Sequence, residues 1–117
     1  MGYIVNCENR EIWSPSLTVG SLYFEQISLL EKIVGDKNGV TNPFDDELEI
    51  NKEEFETFIK SSFEFLKNSN NAALIVMSAG CLEVSLYIYF LITNNWLEVP
   101  FDLRFLNEKA KGMATTM

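Results

Sequence analysis

Seven carboxylates fall within one short stretch: Asp45, Asp46, Glu47, Glu49, Glu53, Glu54 and Glu56, with Lys52 the one base among them. Clustered acids serve three kinds of chemistry. A calcium loop alternates its oxygen ligands around a central glycine, and Asp45-Asp46-Glu47-Leu48-Glu49 has neither feature. A glycosidase pair needs two carboxyls in environments different enough to separate their pKa values, which adjacent exposed acids lack. The third use is electrostatic: a dense negative patch speeds encounter with a basic partner and makes the binding salt-sensitive. This segment holds seven acids and one base, net −6, against ten acids and eight bases, net −2, in the rest of the chain. Acids are also favoured at a helix N-terminus, but the clustering exceeds what capping requires. All seven are therefore candidate partner-binding residues.

Other chemistry is thinly represented. Histidine is absent, which removes the commonest general base, metal ligand and pH switch. Cys7 and Cys81 form no CxxC pair, and Cys81 has no base nearby to lower its pKa. Ser61-Ser62, Ser78 and Ser85 stand in no nucleophile motif. Glu83 is a lone acid in an apolar run. It is read as a surface position or a satisfied structural pair, with Tyr87 one turn on, or a base from another helix, to meet it. No enzyme, no cofactor and no metal site is expected. Trp96, Leu97, Val99, Phe101 and Phe105 cluster around Pro100. Aromatic residues fill cores and also anchor interfaces, so Trp96 and Phe101 are candidate apolar anchors beside a charged rim.

The elements that position these residues read mostly as helices. Residues 3–7 alternate as a short strand, Glu8-Asn9-Arg10 reads as a turn, and Ile12-Trp13 either continues a second strand or caps the core. Ser14-Pro15 breaks the run. Residues 16–34 carry Leu22, Tyr23, Ile27, Leu30 and Val34 at helical steps, with Gly35 suited to a left-handed C-cap. Asp36 to Gly39 is turn chemistry, and Asn42-Pro43 marks another boundary. Asn51 and Glu54 form a capping box ahead of the stripe Phe55, Phe58, Ile59, Phe63 and Leu66. Residues 72–92 are apolar almost all round, as in a central bundle helix or a membrane span. Asp102 can cap a last helix that stops near Gly112, leaving residues 113–117 as a tail.

The expected fold is mainly α: a single domain, 1–117, built as a small helical bundle of about four helices around residues 72–92, with room for a short N-terminal β element. The net charge of −8 disfavours direct contact with nucleic acid and with anionic membranes. The start of the chain has no secretory pattern, which points to the cytoplasm, and its wealth of Asn, Ile and Phe points to an AT-rich microbial or phage genome. The expected function is a non-catalytic acidic module, an immunity protein, antitoxin or phage-type inhibitor that masks a basic partner such as a nuclease toxin. The alternatives are a structural homo-oligomeric subunit, or a single-span membrane protein using residues 72–92. Against the span, Glu83 falls near its middle, where charge is costliest, and the flanks lack close basic residues.

Overall fold

In the computed structural model, which describes residues 2–116, the chain opens on a hairpin: β1 (Ile4–Cys7) and β2 (Arg10–Trp13). The turn between them places Glu8 and Asn9 at φ 53° and 63°, the left-handed pair that matches the twist of the flanking strands. Helix α1 (Leu17–Val34) follows. The Ser16 side chain accepts a hydrogen bond from the Val19 amide, and Gly35, at φ 93°, ends the helix by donating its amide to the Glu31 carbonyl. A second hairpin joins β3 (Val40–Phe44) to β4 (Glu47–Ile50). Helix α2 (Lys52–Lys67) starts where the Asn51 side chain accepts from the Glu54 amide at 3.0 Å. Helix α3 (Ala72–Thr93) runs from an Asn71 cap to a left-handed Asn94. A 3-10 turn (Phe101–Leu103) leads into α4 (Arg104–Thr116).

The four strands form one mixed sheet in the order β2-β1-β4-β3. Both hairpins are antiparallel, and β1 and β4 join them in parallel. This overturns the expectation of a mainly α helical bundle. The fold is α+β, with four helices and a sizeable sheet, and "all-alpha" does not describe it. The acidic stretch concealed half of that sheet. Glu47-Leu48-Glu49-Ile50 alternates strictly, with Leu48 and Ile50 buried, but glutamate is depleted in strands, and acids are equally at home ahead of a helix N-terminus. Asn42-Pro43, expected to be a boundary, lies inside β3. There β3 is an edge strand, where a proline's missing donor is tolerated.

The chain divides into two compact units, residues 1–58 and 59–117. In the first, the inward side of the sheet carries Val5, Cys7, Trp13, Val40, Leu48 and Ile50, all buried. Tyr23, Ile27 and Leu30 of α1 are buried as well. The close approach of α1 to the chain start needs Gly20, since a Cβ there would lie 2.4 Å from the Tyr3 ring. Trp13 meets Tyr23 edge-on at 6.2 Å. Asn38, buried, ties the helix to the second hairpin: its Nδ2 donates to the Ile27 carbonyl and its Oδ1 accepts from the Val40 amide.

In the second unit α3 packs on α4. Leu82, Leu86 and Ile88 of α3 and Leu106 and Ala110 of α4 are fully buried. Val76 and Met77, near the start of α3, are exposed. The helix is long and apolar enough to cross a membrane by length and composition, and 44% of its most apolar window is buried within the protein. Asp102 sits inside the 3-10 turn rather than capping α4, and α4 continues through Gly112 to Thr116. The expected tail is therefore helical as far as Thr116, while Met117 lies outside the described residues.

Candidate functional site

Strand alternation sorts the acidic residues. Asp45 and Asp46 form the β3–β4 turn, Glu47 and Glu49 project from β4 opposite to Leu48 and Ile50, and Glu53 and Glu54 occupy the exposed first turn of α2. Glu56 follows one turn on, half-buried and engaged with other groups. The register then builds a surface. Across the outward side of the sheet, Glu11, Asn6, Glu49 and Thr41 stand in one row, and Ile4, Glu47 and Phe44 in the next. A bulge at Ile12 allows Glu11 to face outward while Trp13 turns in. Asn6 fixes one carboxylate by donating from Nδ2 to Glu47 Oε1 at 2.7 Å. The Asn42 side-chain amide braces the turn, donating to the carbonyls of Phe44 and Glu47. Phe44 is 66% exposed and Ile4 41%, so the outward face combines three glutamates with two uncovered apolar side chains.

The sheet acids and the α2 acids act on a common point. Cys7, at the end of β1 and buried, has its thiol pKa pushed up first by burial and then by the carboxylates of Glu8, Glu49 and Glu53, with Arg10 opposing. Glu49 of the sheet and Glu53 of the helix therefore contribute to one negative field at this end of the unit. Beside it, Asp36, Lys37, Glu53, Glu54 and Thr57 line an open depression. Among the described residues, no group of three or more acids and cysteines is arranged to hold a metal ion.

The remaining candidates lie in the second unit. Trp96 is half-buried, stacked on Phe90 with ring centroids 4.3 Å apart and planes 9° from parallel, and the Lys111 ammonium lies 6.0 Å from its ring. That stack closes the bend after α3. Phe101 is 76% exposed, with the Arg104 guanidinium 4.3 Å above its ring. An open groove beside it is lined by Lys60, Phe63, Glu64, Glu98, Val99 and Pro100. Glu83 is half-buried. Burial raises its pKa, and the positive charge of Lys109 on α4 opposes the shift. Cys81 is buried and its thiol is pushed up to about 12 by desolvation, with a Ser85 hydrogen bond opposing. It is not available as a nucleophile near neutral pH.

Sequence reasoning found Glu47 and Glu49 but missed Ile4, Asn6, Glu11 and Phe44, which share their surface. The alternation of Glu47 to Ile50 carried the signal. The pairing partner did not, because β1 lies about forty residues upstream. No curated protein and no solved structure matches the chain significantly. Residues 1–117 match DUF6086, a family of unknown function, and the chain belongs to that family.

Proposed function

We propose that this chain is a non-catalytic docking module that neutralises a basic protein partner, in the manner of an immunity protein, antitoxin or phage-type inhibitor, by covering the partner's positive surface. The observation that carries the reading is the outward face of the sheet, where Glu11, Glu47 and Glu49 are set among the exposed Ile4 and Phe44. Interfaces combine apolar anchors with a charged rim, and the charges govern encounter and specificity. This face offers both on a rigid support, since the alternate residues Leu48 and Ile50 are locked into the core. A nuclease is a fitting target class, because an enzyme that holds nucleic acid must present a basic surface.

The test is affinity capture from source-cell lysate at low and high salt, read by mass spectrometry. One basic protein should be retained at low salt and released at high salt. A Glu11→Lys, Glu49→Lys double variant should lose it, and Phe44→Ala should weaken it. Retention unaffected by salt and by the double variant would rule out this face as the contact.

A further inference from the structure

Helix α1 is apolar on two sides. Gly20, Tyr23, Ile27 and Leu30 are buried in its own unit. The adjoining side, roughly 100° round the helix, presents Val19, Leu22, Gln26, Leu29 and Ile33, spaced three, four, three and four residues apart, which is the period of a coiled-coil seam. Val19 is 45% exposed, Leu22 56%, Leu29 58% and Ile33 49%. A surface helix ordinarily turns polar residues to water, and a contiguous apolar stripe of this kind marks an interaction surface.

We propose that this stripe is the seam of a symmetric homodimer, in which α1 packs antiparallel against α1 of a second copy. Charge placement selects this occupant and this direction. Glu25 and Lys32 lie seven residues apart on one edge of the stripe. When Leu22 is set opposite Ile33 of the second copy, and Gln26 opposite Leu29, Glu25 lies across from Lys32 of the second copy. Two-fold symmetry then forms the pair twice. A parallel pairing would direct Glu25 toward Leu30 of the second copy, which is already buried in its own unit, and neither charge would find a partner. Gln26, the one polar residue in the seam, restricts the register, as a single polar seam position does in coiled coils. Each helix is already held by its unit, so pairing does not have to meet the ordering cost that makes short isolated helices marginal. The seam uses none of the sheet residues assigned to the partner surface.

Sedimentation equilibrium tests this directly. The chain, 13.4 kDa as a monomer, should show twice that mass at micromolar concentration. A Leu22→Glu, Leu29→Glu variant, altered only at exposed positions, should keep its circular dichroism and sediment as a monomer. Glu25→Lys alone and Lys32→Glu alone should each raise the dimer Kd about five- to tenfold, and the Glu25→Lys, Lys32→Glu double variant should restore it. A monomeric wild-type chain at high micromolar concentration would overturn the proposal. So would a dimer that the double glutamate variant leaves intact, or a double charge swap that dimerises no better than the single variants.

Discussion

The two units of the chain differ in charge as sharply as in secondary structure. Residues 1–58 hold twelve acids and four bases, whereas residues 59–117 hold five of each. The whole net charge of −8 therefore belongs to the unit with the sheet, and the helical unit is neutral. Solubility alone would not demand this segregation, since a mixed surface serves it as well. The difference places the excess negative charge in the first unit. In the second, the charged groups play local parts: Lys109 offsets the rise in the Glu83 pKa, Arg104 covers Phe101, and Lys111 lies over Trp96.

This division can be broken or sharpened at several levels. The largest effects belong to the separate cores. Phe55→Ala in the first unit and Leu86→Ala in the second, both at fully buried positions, should each cost about 3–4 kcal/mol in urea unfolding. A loss below about 1 kcal/mol at either site would show that its core is not packed as described. Next comes the polar tie inside the first unit. Asn38→Ala removes the acceptor of the Val40 amide and a second donor to the Ile27 carbonyl, which keeps its bond within α1, and should cost about 1–3 kcal/mol by leaving the buried Val40 amide unpaired. Hydrogen exchange at Val40 should rise with it.

Charge reversal compares the units most directly. Glu11→Lys with Glu49→Lys should lower affinity for the captured partner at least about tenfold, mainly through the association rate. Glu98→Lys with Glu108→Lys, an equal change of net charge in the second unit, should leave it almost unchanged. Equal losses from both pairs would mean that the partner senses total charge rather than the sheet face.

The smallest effect is a pH dependence. Burial raises the pKa of Glu83 above its ordinary 4.5, so the folded state holds this proton more tightly than the unfolded state. The resulting stability is present below pH 4.5 and is lost as pH rises through the folded value. Glu83→Gln should remove that decline, with the variant matching the wild type in acid and gaining on it toward neutral pH. A Glu83→Gln stability that still declines across that window would assign the dependence to another group.

Much of this organisation was legible in the sequence where local chemistry fixes it. Gly35 ends α1 and Asn51 caps α2, because caps and left-handed turns are decided by the few residues that form them. The first strand and the turn after it were legible for the same reason, while Ile12-Trp13 fitted a second strand and a core cap equally. The second hairpin was not. Glu47 and Glu49 favour a strand only because their neighbours Leu48 and Ile50 are claimed by a core, and the strand that pairs with them lies far upstream. The candidate site suffered the same way: its glutamates were visible as a cluster, but the rows that set Asn6 and Glu11 beside Glu49, and Ile4 and Phe44 beside Glu47, exist only once β1 and β4 have paired. Gly112 misled in the opposite direction. A glycine within a helix costs about 1 kcal/mol, and Leu103, Leu106 and Ala110, all buried, hold the preceding turns well enough for α4 to pass through it.

The parallel junction of β1 with β4 also sets a timetable for synthesis. Cys7 leaves the ribosome well before its partner Ile50, and at roughly 5–20 residues per second the delay is about 2–9 s. During that interval β1 can be covered on one side by its hairpin partner β2, while the other side keeps its amides and carbonyls open. A nascent chain in that state presents a bare strand edge to its neighbours, and overexpression, which crowds such chains together, should favour inclusion bodies over soluble product more strongly than the acidity of the finished protein would suggest.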